Sequence, residues 1–261
     1  ASGGWLFKKG ALDFAGGTVV HINAGIAALV AAICLGKRKG HGQRAVHPHN
    51  LPFSVLGAAL LWFGWFGFNA GSSLAANGLA ASAFVVTNTA AAAAGLTWAL
   101  IEWALNKAPN IFGCITGAVA GLVAITPASG FVDPMGAIYI GIGVAILCYI
   151  FCAKVKPALG YDDSLDAFGV HGIGGIFGAL MTGLLANPAV NSLGKGLFYG
   201  NPDAFMIQVV AVGATILYTG IGSFILFKIV DIIIGLRVTE KEEEIGLDLT
   251  QHREVGYTLV D

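Results

Sequence analysis

The 261-residue sequence predicts an all-α polytopic membrane protein, and three observations carry that expectation. Hydrophobic residues make up 56% of the chain and charged residues 11%, with a mean hydropathy of +0.77, which leaves too little polar surface for a soluble domain of this size. The apolar stretches have the length, roughly 20 residues, that crosses a hydrocarbon core about 30 Å thick. A histidine-bearing segment also recurs at an offset of 150 residues, as VVHINAGI around His21 and GVHGIGGI around His171, and each copy has an aspartate eight residues upstream, Asp13 and Asp163.

Seven stretches qualify as spans, at about 16–36, 51–72, 81–105, 110–127, 134–154, 167–186 and 203–234. The first and sixth hold the two histidines, and the second ends in the aromatic run GWFGFNAGSS. The seventh is long enough to tilt or to run on beyond the bilayer. The 38 glycines, with abundant alanine, suit helices that pack backbone to backbone, and nothing resembles the alternating segments of a membrane barrel. Cys34, Cys114, Cys148 and Cys152 fall in or beside spans without metal-ligand spacing to a histidine and read as small packing residues, including Cys148 and Cys152 on one helical face.

Basic residues set the orientation. Lys37, Arg38, Lys39 and Arg44, then Lys107, then Lys154 and Lys156, and finally Lys228, Arg237, Lys241 and Arg253 lie at alternate connections, so those ends are expected to be cytoplasmic. The opposite connections carry only Lys8, Lys9 and Lys195, which puts Ala1 outside and the C-terminus inside. Residues 1–234 then form a transmembrane domain and 235–261 a cytoplasmic tail.

Helices one and six, separated by an odd register, cross in opposite directions, so the two histidine copies form an inverted repeat whose substrate site is expected where the halves meet near the midplane. If the repeat unit is five helices ending in a histidine helix, spans two to six complete one unit and span one closes the other. Four further helices are then expected upstream of Ala1.

A histidine in lipid is costly and marks a solute or proton path, although a single one can serve as an ordinary interhelical hydrogen-bonding group. Two neutral imidazoles side by side, each with one donor and one acceptor, can share a proton and offer hydrogen bonds to a small polar solute. Metal binding lacks carboxylate or thiolate partners nearby. Asp162, Asp163 and Asp166 read as helix caps, and Asp13 as either a cap or a residue shaping a cation-recruiting vestibule. Phe68 and Ser72 share a helical face and can together receive a small cation through ring and hydroxyl. The alternative for this run is an interfacial aromatic belt, which Trp62 and Trp65 fit best. The charged run 240–244 is either a solvated tail or, with Ile245, Leu247, Leu249 and Val255, a segment docked on the loops.

DFAGGTVVHINAG, GWFGFNAGS, DAFGVHGIGG and GLRVTEKEEEIGLD closely resemble signatures of the Amt/Mep/Rh ammonium transporters, on the bacterial Amt side, and the likeness covers the whole chain. The resemblance implies an eleven-helix fold of two inverted five-helix halves, here about seven helices of it, in a homotrimer with one pore per protomer. It implies ammonium uptake through the plasma membrane, with His21 and His171 as twin pore histidines, Phe68 as the inner of two gate phenylalanines, Ser72 as the vestibule serine and Asp13 as the essential carboxylate. The tail 235–257 is implied to pack across the cytoplasmic face and couple it to PII-type signalling proteins. The partner gate phenylalanine is expected upstream of Ala1, and Trp5 does not match the spacing of the vestibule tryptophan. No cofactor, nucleic acid or enzymatic chemistry is expected, because no nucleophile, metal set or phosphate loop accompanies the histidines. The rival readings are a neutral gas channel and an ammonium sensor.

Overall fold

The computed structural model describes residues 3–43 and 47–257, so Ala1 and Arg44, two residues used for the orientation, lie outside the described residues. The described residues are helical and irregular throughout. A short α1 (Trp5–Lys9) precedes α2 (Asn23–Leu35), α3 (Leu51–Gly71), α4 (Gly78–Asn106), α5 (Ile111–Ile125), α6 (Pro134–Ile150), α7 (Lys156–Leu159), α8 (Ile173–Leu185), α9 (Pro202–Ile234) and α10 (Glu240–Ile245). Wider π-helical turns, Gly17–Ile22 and Phe168–Gly172, lead directly into α2 and α8, and a third, Phe151–Val155, joins α6 to α7.

Six helical stretches are long and apolar enough to cross a membrane, while the fourth expected span is a shorter helix of 15 residues. This α5 is the centre of the bundle: it packs on α3, α4, α6 and α8, and the chain from Ala120 to Val132 is buried without a break. The helix starts are written in the sequence. Asn50, Asn77, Asn110 and Asp133 each accept the N–H three residues on, and Pro52 and Pro134 stand in the first turns of their helices, where a missing N–H costs nothing. α9 has 33 residues, about 50 Å at 1.5 Å per residue, and its buried positions stop at Thr219, so its last turns run past the packed bundle.

The two ends of the bundle are defined by contacts between loops. At one, Phe14 N–H donates to Pro127 O (3.1 Å) and Asn187 N–H to Phe131 O (2.7 Å). At the other, Arg38 pairs with Asp162 (2.9 Å), and the segment after α9 is docked rather than free: Arg237 Nη1 donates to Leu35 O (3.0 Å), Lys39 pairs with Glu244 (2.8 Å), and Tyr257 stacks on His49. A capping box between Thr239 and Glu242 nucleates α10 within this segment.

The histidine-bearing segments cross antiparallel with their backbones in contact. A Cβ built on Gly25 would overlap the backbone of Gly172, and one built on Gly175 would lie 3.0 Å from Ile22 N and 3.1 Å from His21 Cβ. Since Gly175 is the repeat equivalent of Gly25 and Gly172 that of Ile22, the two contacts are one contact seen from both sides, the signature of a local two-fold axis. Replacing Gly25 by Val is expected to destabilise the protein by about 3 kcal/mol or more, as overpacking against backbone does. Gly222, whose Cβ position is open, should tolerate Ala within about 1 kcal/mol, the normal helix gain or loss, and thermal unfolding in detergent checks the pair.

Candidate pore site

Each histidine is delivered by a π-helical turn held at its start by the repeat aspartate. Asp13 accepts the N–H groups of Gly16 (3.2 Å), Thr18 (3.0 Å) and Val19 (3.2 Å). Asp163 accepts those of Ala167 (3.1 Å) and Phe168 (2.8 Å). Thr18 and Phe168 are equivalent in the repeat, so the same bond is made twice. Burial pushes the Asp13 carboxyl above the usual carboxylate range, and the backbone donors oppose that push by favouring its charged form. Among the described residues, then, Asp13 has the geometry of a cap. Asp162 and Asp166 depart from the expected capping role: Asp162 lies between Arg38 (2.9 Å) and His41 (3.3 Å), and Asp166, at φ 54°, pairs with Lys156 (2.5 Å). Both sit in a loop where a cation from elsewhere in the chain reaches them before any free helix N–H does.

The crossing brings the two imidazoles together, with Nδ1 to Nδ1 at 3.3 Å and ring centroids 5.3 Å apart. His21 is 4% exposed. Trp65 stacks on it at 5.2 Å and 17°, and Phe68 meets it edge-on at 6.0 Å. The expected belt role of Trp62 and Trp65 is corrected here. Trp65 is buried and donates its indole N–H to Thr126 Oγ1 (2.9 Å), and Trp62 packs against the core with its ring nitrogen buried. The lone polar atom of an indole can be satisfied inside a bundle as well as at an interface, and here a threonine from the end of α5 does it.

Apolar cavities lie on both sides of the pair. One of about 590 Å³ is lined by Val20, His21, Leu60, Leu61, Trp65 and Phe68, and one of about 300 Å³ by His171, Ser54, Leu61, Phe112, Thr116 and Val170. Gly57 and Leu61 line both, so α3 forms their shared wall. A larger groove of about 890 Å³ between α3 and α4 is lined by Phe63, Phe66, Phe84, glycine and alanine, and contains no titratable group. Ser72 stands at the C-terminal end of α3 with its hydroxyl donated to Phe68 O (2.8 Å), which leaves its oxygen lone pairs free. The site therefore sets an aromatic ring and a hydroxyl at the end of α3, and two imidazoles in hydrogen-bond contact between two mainly apolar depressions.

Sequence reasoning missed Thr126, Gln208 and the inward face of Trp65. Trp65 is three residues before Phe68 and so shares its face, a signal present in the spacing. Thr126, in ITPASG, shows no pattern of its own. Gln208 is fully buried and clamps the segment before Asp13, accepting from Leu12 N (2.9 Å) and donating to Leu12 O (2.7 Å) and Ala179 O (2.9 Å).

Comparison with known proteins assigns the class. Residues 1–257 match the model of the Ammonium Transporter Family, and the chain belongs to that family. It is 53% identical to ammonium transporter Amt1 of Archaeoglobus fulgidus over 98% of this chain and 65% of that protein. The crystal structure of Mep2 from Candida albicans superposes with a TM-score of 0.86 at 38% identity, covering 97% of this chain and 57% of that one. A structure described as a sensor Amt protein gives a TM-score of 0.86 at 34% identity, over 95% of this chain and 62% of that one. The chain thus spans less than two thirds of the length of these relatives.

If the aspartates act as caps, Asp13→Ala and Asp163→Ala each leave buried N–H groups without a partner and should destabilise the protein by about 2 kcal/mol or more. Calorimetry in detergent reads this, and an unchanged unfolding temperature for Asp13→Ala would assign that residue a role other than capping.

Proposed function

We propose that the protein conducts ammonium across the plasma membrane, with its tail on the cytoplasmic side. The observation that carries this reading is the contact of two imidazoles between two apolar cavities, in a chain of the ammonium transporter family. Ammonium enters at Ser72 and Phe68, where hydroxyl and ring substitute for lost water. Asp13 supports the entrance by holding the turn that carries His21. A bare cation is heavily penalised in the apolar passage, so the ion gives up its proton at or before the histidine pair and moves on as ammonia. Potassium, with no proton to surrender, is excluded. The working assembly is a homotrimer with one pore per protomer.

A second reading, a sensor, is favoured by the docked tail and by the likeness to a sensor Amt protein. In it, occupancy of the same site shifts the tail, and a PII-type protein reads the cytoplasmic face. Electrogenic flux separates the two. In the protein expressed from its native gene, replacing His21 and His171 by Leu should reduce ammonium-driven current by about tenfold or more, the scale of a lost proton-transfer group. Undiminished current with unchanged selectivity overturns the relay, and no current in the unaltered protein overturns transport in favour of sensing.

For the tail, Arg237→Ala removes the bonds to Leu35 and Glu243 and should expose the chain beyond α9. Limited proteolysis should then cut at Lys241 and Arg253 faster than in the unaltered protein.

A further inference from the structure

We propose that Thr126 is a positioning residue that fixes the tautomer of the histidine pair, with hydrogen on Nε2 of His21 and on Nδ1 of His171. Donor and acceptor accounting at one oxygen gives this result. Thr126 Oγ1 has one hydrogen to donate and two lone pairs to accept with. It lies 2.8 Å from Leu122 O, 2.9 Å from the indole nitrogen of Trp65 and 3.3 Å from Nε2 of His21. An indole nitrogen only donates, so Trp65 occupies one lone pair. The hydroxyl hydrogen belongs to Leu122. At the end of α5 the Thr126 N–H turns to Val123 O (3.2 Å) instead of the carbonyl four residues back, which leaves the fully buried Leu122 carbonyl to the hydroxyl. One lone pair remains, and only a ring N–H can use it, so Nε2 of His21 is the donor.

The rest of the pair follows. A neutral imidazole has one N–H, so Nδ1 of His21 is bare, and the 3.3 Å contact between rings requires His171 to donate from Nδ1. Nε2 of His171 is then bare. The hydrogen bonds run in one sense, from His171 to His21 to Thr126 to Leu122, and both nitrogens of His21 are engaged. The one open acceptor of the pair belongs to His171, which lines the 300 Å³ cavity on the tail side.

Protons are therefore handled asymmetrically by two residues that the repeat makes equivalent. A proton joining His171 at Nε2 lets its Nδ1 proton pass to Nδ1 of His21, and the charge moves to His21 as an imidazolium that still donates to Thr126. A proton offered from the Phe68 side can join His21 only from the inverted pair, and then at Nε2 as the Thr126 hydroxyl that had turned to it swings back to Leu122 O. Inversion needs the Thr126 hydroxyl to leave Leu122 O and donate to His21 instead. The symmetry is broken outside the pair, since among the described residues the only hydroxyl bonded to either ring sits at His21.

The inference deepens the transport reading, yet its test reads ring nitrogens and not flux. Solid-state NMR of ring-15N-histidine protein, expressed from its native gene and reconstituted in lipid, distinguishes protonated from bare nitrogens, with His21 and His171 assigned through correlations to their own backbones. The expected spectrum shows protonated Nε2 on His21 and protonated Nδ1 on His171. Thr126→Val, which keeps the shape and deletes the oxygen, should lower the ratio of the two tautomers of His21 about tenfold, one hydrogen bond at ~1.4 kcal/mol per decade. Thr126→Ser should restore it. Protonated Nδ1 on His21 in the unaltered protein, or a ratio that Thr126→Val leaves unchanged, overturns the assignment. If Thr126→Val fails to fold, the unaltered protein and Thr126→Ser still decide it. Absent ammonium flux beside the expected spectrum would count against transport and leave the tautomer standing.

Discussion

The structure depends on one close approach, the antiparallel crossing at which Gly25 meets Gly172 and Gly175 meets the turn of Ile22. Helices ordinarily pack with axes 8–10 Å apart because side chains stand between them. Here glycines bring the two backbones into contact, and that approach is what allows two histidines, one from each direction, to reach each other across 3.3 Å. In lipid the association of helices rests on this kind of close packing, since burying apolar surface gains nothing there. The crossing is also symmetric by construction. Each glycine of one copy meets the backbone of the other at the equivalent position.

Around that crossing the polar inventory is closed with few exceptions, as an apolar solvent demands. The aspartates satisfy the starts of the two π-helical turns, Gln208 satisfies both backbone groups of Leu12, and the buried Glu102 accepts from Trp98 and from the backbone and side chain of Asn110 to hold the start of α5. These groups hold geometry: they fix where the turns begin and so where the rings end. Thr126 belongs to the same class but touches the pair itself, which is why its single oxygen bears on the proton positions of both rings.

The His21 turn and the docked tail lie at opposite ends of α2. α2 ends at Leu35, whose carbonyl is held by Arg237, and α2 begins at the turn of His21. The loop of Arg38 reaches Asp162, one residue from Asp163, which starts the turn of His171. The His21 turn is thus one helix away from a contact that holds the tail, and the His171 turn is joined through Asp162 and Arg38 to Lys39, which binds the tail. The contacts that dock the tail and those that start the histidine turns are therefore contiguous in the structure.

Composition, length and the 150-residue repeat determined the class: a membrane chain of long apolar helices, two of them bearing equivalent histidines in opposite directions. Local chemistry determined the helix starts, because a cap is a contact between residues three apart and is readable in a window that short. The sequence alone also offered Phe68 and Ser72 as neighbours on a helical face. It did not show that Trp65 turns inward, that Asp162 and Asp166 pair with Arg38 and Lys156, or that the fourth span is a short central helix. Each of those depends on which surfaces meet, and a period of 3.6 residues says which residues share a face but not what that face will touch. Thr126 is the clearest case. Its hydroxyl is one of many in the chain, and only the approach of α3, α5 and the His21 turn from three distant parts of the sequence gives it a ring and an indole to bind.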